Sequence, residues 1–409
     1  MRKFRLDISE EPIPSDVLST LQLRTLNEPL FPSLKTIEFM EATADIIPFV
    51  PLFLSHKTTR VDIEFATIPP VVMVASMIIN LPKLCPHMQS IRLQPLPEDE
   101  TITSAVSEML LTCNLDALRY IIVDSALTKE ASQVVFQLHD LSGLWLVLLE
   151  PTPLPAVSLP NLTRLDVNYR DDHDWLQAFR GAKLSKLTEV SIHADCDRIG
   201  NFLEAFELSL ASSASTLSEF AFYTSCSWNP SYYSLLSFKQ LKELTIEFSC
   251  ENGCSSSMDD ETIITLAQAM PKLETLQLGD VPCQAPSNVT VQGLIALAHH
   301  CPYLFTLRIH FQPDSLAAAL ADEVILVPSP GKSHLLQDDC ALATLEVGEI
   351  PLPHHCFLPV VLTLLRIFPR LLLVKYVNEE WKWVAETIRL SQQIGSLVNR
   401  SGKTRPPPL

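Results

Sequence analysis

The chain has 409 residues, enough for two or three domains or one long repeat array. Hydrophobic residues make up 47%, which supplies a core and excludes a disordered chain, and only 10 glycines argue against phosphate-cradling loops and tight hairpins. With 47 acidic and 30 basic side chains the net charge is −17, a field that repels a phosphate backbone, so no nucleic acid is expected as a partner.

From the start of the chain, Met1-Arg2-Lys3 is followed by Asp7, Glu10 and Glu11 where a secretory signal needs an apolar run. The most apolar stretch, Ile68 to Ile79, is too short to span a bilayer and contains Pro69 and Pro70, so no membrane association is expected. Ten scattered cysteines then read as reduced thiols, and the expected location is cytoplasmic, nuclear or both.

One pattern recurs along the chain. "LTRLDV" begins at Leu162, "LTEVSI" at Leu187, "LKELTI" at Leu241, "LETLQL" at Leu273 and "LFTLRI" at Leu304. Weaker copies begin at Leu34, Thr58, Met88, Leu118, Leu141, Leu217, Leu342 and Leu371. These are about thirteen copies of L-x-x-L-x-L, roughly 28 residues apart, the period of a leucine-rich repeat. A further copy begins at Met1, with Phe4 and Leu6 in register. Leucines two apart point to one side of a short strand, with polar residues on the other.

Between strands the spacing is helical: Ile264, Leu266, Ala267 and Met270 form one stripe, and Leu294, Leu297, Ala298 and Cys301 another. Pro32, Pro86, Pro160, Pro271, Pro302 and Pro369 each stand two residues before the first leucine, where proline ends a helix and launches a strand. The expected fold is α/β: a leucine-rich-repeat solenoid, or horseshoe, with a parallel sheet on the concave face and helices on the convex face. It should fill residues 1–378. Residues 379–400, with Trp381, Val384, Ile388, Ile394 and Val398 on one stripe, should form a capping helix, and 401–409 a disordered tail.

"GLIALAHHCPYLFTLRI", Gly293 to Ile309, resembles the repeat of F-box/leucine-rich-repeat proteins of the ribonuclease-inhibitor-like kind, through its L-A-x-x-C-P-x-L-x-x-L core. "LPKLCPHMQSIRL", Leu81 to Leu93, repeats the Cys-Pro, and "ITLAQAMPKLETLQL", Ile264 to Leu278, is the same unit without the cysteine. The irregular lengths look most like divergent fungal members. The resemblance implies a non-catalytic, protein-binding subunit that recognises substrates for an SCF-type ubiquitin ligase. No F-box is visible in these residues, so contact with a cullin-ligase adaptor would come from a segment absent here. The alternative is a stand-alone scaffold or inhibitor without a ligase role.

Apparent catalytic or cofactor motifs fail on inspection, and no cofactor is expected. "VILVPSPGKS", Val324 to Ser333, has Gly331-Lys332-Ser333 but Leu326 where a P-loop needs glycine. Cys250 and Cys254, with Cys283 beyond, lack the second half of a zinc site. Asp171-Asp172-His173-Asp174 offers a weak cation set. His299-His300 and His354-His355-Cys356 place neighbours side by side, where adjacent helical residues do not share a face. Glu98-Asp99-Glu100, Asp171-Asp172 and Asp259-Asp260-Glu261 follow strands and precede helices, as capping carboxylates do; together they would also line one acidic rim.

Two neighbouring strands break the polar rule on the concave side. One presents Tyr120 and Ile122, the next Trp145 and Val147. Register would put these four side chains together as an aromatic partner site. The competing reading is that a loop or the Trp381 segment covers the patch.

Overall fold

The computed structural model describes residues 3–7, 14–25, 28–148, 159–169, 184–194, 210–224, 232–248, 258–279, 287–321 and 340–401. Two compact units divide the chain. The first comprises Met1–Ala194 and Leu208–Thr216, the second Asp195–Glu207 and Leu217–Leu409.

The first unit holds eight strands: β1 (Lys3–Asp7), β2 (Thr36–Ala42), β3 (Arg60–Phe65), β4 (Ser90–Gln94), β5 (Tyr120–Ala126), β6 (Gly143–Leu148), β7 (Arg164–Tyr169) and β8 (Glu189–Ala194). They pair in parallel and in chain order. The second unit repeats the plan with β9 (Glu219–Thr224), β10 (Glu243–Phe248), β11 (Thr275–Leu278), β12 (Thr306–Arg308), β13 (Thr344–Val347) and β14 (Leu373–Tyr376). These too pair in parallel and in order. Parallel neighbours in sequence order, joined by helical or turn segments, are the leucine-rich-repeat α/β solenoid expected from the period. The copy at Met1 is real, as β1.

Register aligns the apolar side chains into continuous rows. In the second unit Leu244, Leu276, Leu307, Leu345 and Val374 stand side by side, none more than 3% exposed. In the first, Ile37, Val61, Ile91, Ile121, Leu144, Leu165 and Val190 do the same, within the same 3%. Each buried aliphatic side chain contributes about 1.5 to 3 kcal/mol, so the rows are the main source of cohesion between repeats.

The prolines have a more specific role than helix stopping. The leucine two residues after each proline donates its backbone N–H to the carbonyl of the residue before it. The bonds run Leu34→Phe31, Leu162→Leu159, Leu273→Met270, Leu304→Cys301 and Leu371→Phe368, at 3.0 to 3.2 Å, with Met88→Cys85 at 3.1 Å. Proline is thus the second residue of a β-turn, where its fixed φ is already correct. The same bond forms without proline at Leu141, Leu187 and Leu241. The cysteine of Cys-Pro has its own role: the buried Cys301 thiol lies 3.7 Å from the carbonyls of Ala267 and Met270 in the preceding repeat. Burial pushes that thiol up to about 12, so it is not a nucleophile.

The helices depart in detail from the expected stripes. In Asp260–Ala269 the buried residue is Ile263 rather than Ile264, and in Val291–His300 it is Ala296 rather than Ala298. A 3.6-residue period tolerates either choice, and packing on the neighbouring repeat selects one. Not every connection is a helix: β2 and β3 are joined by the 3-10 segment Ala44–Phe49 and the single turn Val50–Phe53. At the end of the chain, helix Lys382–Ser401 packs on β14 and on helix Phe357–Ile367. Trp381, Val384 and Ile388 are fully buried, but Ile394 is 62% exposed, so the apolar stripe ends earlier than expected.

Acidic capping takes two forms. Asp99 accepts from the Thr101 N–H at 2.7 Å and Asp259 from the Thr262 N–H at 2.9 Å, each at the start of its own helix. Asp260 instead reaches the next repeat, accepting from the N–H groups of Thr290 at 2.7 Å and Gly293 at 3.0 Å. Gly293 permits this approach: a Cβ there would lie 2.7 Å from Asp260 Oδ1. No helix among the described residues is long and apolar enough to cross a membrane.

Candidate functional site

Strand alternation sends every second side chain to the sheet face opposite the buried rows, here the open face. In the first unit this face begins as a charge ladder. Lys3 Nζ lies 2.9 Å from Glu38, Arg60 lies 3.9 Å from Glu38 and 3.0 Å from Asp62, and Arg92 lies 3.8 Å from Asp62 and 4.0 Å from Glu64. From β1 to β4, opposite charges therefore alternate, although Asp62 Oδ1 accepts no hydrogen bond among the described residues.

On β5 and β6 the ladder stops. Ile122 is paired in register with Trp145, and both are partly buried. Tyr120 pairs with Gly143, and the missing side chain makes room for its ring: a Cβ on Gly143 would lie 2.5 Å from Tyr120 Cδ1. Tyr120 remains 44% exposed. Val147, two residues beyond Trp145 in β6, is closed to solvent. The register shifts between Ile122 and Ala126, so Val147 pairs with Ala126 and is only 2% exposed. The structure thus brings Ile122 and Trp145 together, keeps Tyr120 at the surface beside them, and buries Val147.

Sequence reasoning passed over the next residue in the row. Asp166 on β7 is the register partner of Trp145 and is 5% exposed. Among the described residues no donor bonds its Oδ1, and no acceptor meets the buried Trp145 Nε1. His193 Nε2 stands 3.8 Å from Asp166 Oδ1, short of a hydrogen bond. Burial raises the Asp166 carboxyl from the ordinary 3.8 to about 6; Arg164 pulls it down and Asp124 pushes it further up. The readable signal was an acid one strand away from a tryptophan at the same register position.

The open face of the second unit is different. Arg308 on β12, 8% exposed, donates to Glu247 on β10 and, at 2.6 Å, to Gln277 on β11. Lys375 pairs with Glu346 on the neighbouring strand at 2.5 Å.

Trp381 is engaged within the second unit. Its ring packs against Phe311 at 5.8 Å and its Nε1 donates to the Ile350 carbonyl at 2.9 Å. Asp171-Asp172-His173-Asp174, the Cys250, Cys254 and Cys283 set and the Val324 to Ser333 segment with Lys332 all lie outside the described residues.

No family model and no curated protein matches the chain. Among solved structures it is similar to the yeast Rad7 and Elc1 complex, at 13% identity and a TM-score of 0.34, over 89% of this chain and 83% of that one. It is also similar to an internalin, InlF, from Listeria monocytogenes, at 14% identity and a TM-score of 0.36, over 89% of this chain and 77% of that one. The assignment of this chain to the leucine-rich-repeat solenoids stands on its own strand order, register and repeat.

Proposed function

We propose that the chain is a non-catalytic, protein-binding leucine-rich-repeat platform, and that the open face over β5 to β7 takes a basic segment of its partner. The observation that carries this reading is the adjacency of Trp145, with an unmatched N–H, and Asp166, with an unmatched carboxylate oxygen. A buried carboxylate oxygen that accepts no hydrogen bond is costly, and a lysine or arginine from a partner would offset that cost while stacking on the indole. The net charge of −17 draws basic partners to the molecule. Tyr120 and Ile122 would flank the contact and Val147 would form its floor. The finer reading, a substrate receptor of an SCF-type ubiquitin ligase, is supported by the Cys-Pro repeats at Cys85 and Cys301.

The test is affinity purification with three baits: the wild-type chain, the Trp145→Ala and Asp166→Asn double variant, and Thr245→Ala on the second unit's open face as control. Partners should be lost with the double variant and retained with the control. Trp145→Ala alone should weaken a purified partner by about 2 kcal/mol or more with little loss of stability. Retention of every partner by the double variant, or a Trp145→Ala chain that unfolds readily while its surviving fraction binds normally, would overturn the site. A cullin adaptor recovered with all three baits supports the ligase role; its consistent absence supports the scaffold.

A further inference from the structure

In the second unit, Asp314 in the first turn of helix Pro313–Ala321 meets the 3-10 turn His354–Cys356. Cys356 Sγ lies 3.0 Å from Asp314 Oδ1, and His355 Nε2 lies 4.0 Å from the same oxygen. One ligand atom from each of the three residues falls within 4.8 Å of the others. The two segments are 42 residues apart in sequence, so the chain itself gives no spacing signal. Their separation is already fixed by packing of the two helices, with Thr363 Oγ1 donating to the Leu316 carbonyl at 3.0 Å.

We propose that Asp314, His355 and Cys356 form a binding site for a borderline-soft divalent metal, zinc(II) first, that ties the two helices together. The donor set is one thiolate, one imidazole and one carboxylate, three ligands that zinc accepts, with the fourth position left to water or a partner group. Ligand atoms about 2.0 to 2.3 Å from a tetrahedral zinc stand about 3.2 to 3.8 Å from one another, so adjustments of about 1 Å complete the site. Asp314 and His355 are exposed and give a metal ion access, while Cys356 is buried.

The same geometry argues against a cysteine nucleophile. In a nucleophilic pair the base that activates the thiol contacts it and becomes cationic, whereas here a carboxylate does. Burial, and then the Asp314 carboxylate, push the Cys356 thiol up to about 11. A dication reverses that penalty by neutralising both anions, and it displaces the thiol proton in doing so.

The experiment is a titration of the full chain with Co²⁺ alone, read by thiolate-to-cobalt charge-transfer absorption and competed with Zn²⁺. One equivalent should bind. Cys356→Ser should abolish the band, and Asp314→Asn and His355→Ala should each lower affinity at least tenfold, with circular dichroism showing the fold retained. The Cys250→Ser and Cys254→Ser double variant should keep the band, which separates this site from that cysteine pair. Should Cys356→Ser fail to fold, the Asp314 and His355 variants decide. A band absent in the wild type at millimolar Co²⁺, or unchanged affinity in Asp314→Asn and His355→Ala, overturns the proposal.

Discussion

Each unit's open face holds a buried charged side chain at comparable depth, Asp166 at 5% exposure in the first and Arg308 at 8% in the second. Arg308 is answered within its own sheet by Glu247 and Gln277, from two different strands. Asp166 has Trp145 as its neighbour on one side and Ser191 on the other, and His193 Nε2 lies 3.8 Å from its Oδ1. The same repeat scaffold thus yields one buried charge paired across two neighbouring strands, with its Nε left unbonded, and one whose Oδ1 accepts no hydrogen bond among the described residues. Spare capacity at a buried position is a binding signal, because folding alone gains nothing from it.

The largest expected effect lies beneath both faces. Leu144→Asp in the first unit and Leu276→Asp in the second would each bury an unpaired charge in the apolar rows, at a cost of about 4 kcal/mol or more. Urea unfolding measures this. A loss below about 1 kcal/mol for either variant would show that its row is not packed as described.

The comparison itself is sharpened by a pair of substitutions with opposite signs. Arg308→Ala should destabilise by about 3 kcal/mol, since it leaves Glu247 and Gln277 without their donor. Asp166→Asn should stabilise by about 2 kcal/mol at pH 7.5, because the folded state then no longer carries an ionised, buried carboxylate. The sign follows from the direction of the shift. With the folded pKa raised from 3.8 to about 6, the folded state holds the proton more tightly, so the wild type loses stability as pH rises through that window. The advantage of asparagine should therefore be full above pH 6 and gone near pH 4. Thermal melts at both pH values check this, and equal effects at the two would mean that Asp166 is not the titrating group.

The smallest effect concerns the link between repeats. Gly293→Ala should cost about 1 kcal/mol, because the new methyl displaces Asp260 from the helix start that it caps. Asp260→Ala should cost a similar amount, and the double variant little more than either, since both break one contact. Additive losses in chemical denaturation would show that the two residues act separately.

The strand rows were legible because they depend on a local rule. Leu276, Leu307 and Leu244 had to lie side by side once the repeat was seen, since each repeat presents the same residue at the same place. Tyr120, Ile122 and Trp145 were legible for the same reason. The burial of Val147 was not, because the register shift after Ile122 that pairs it with Ala126 is invisible in the sequence. Pro86, Pro271, Pro302 and Pro369 do follow helix ends, whereas helix Ser15–Thr25 stops seven residues short of Pro32, and the place of all six prolines in a β-turn needed the hydrogen bonds.

By itself, then, the sequence determined the repeat, the parallel order and the buried rows, because those follow from periodicity and from which side chains avoid water. Only the tertiary structure decided which polar side chains are left unmatched and which distant ones meet. Asp166 meets Trp145 but no donor at its Oδ1 among the described residues, and Asp314 joins His355 and Cys356 across 42 residues. Burial and proximity between repeats are sums over many neighbours, and no local pattern encodes them.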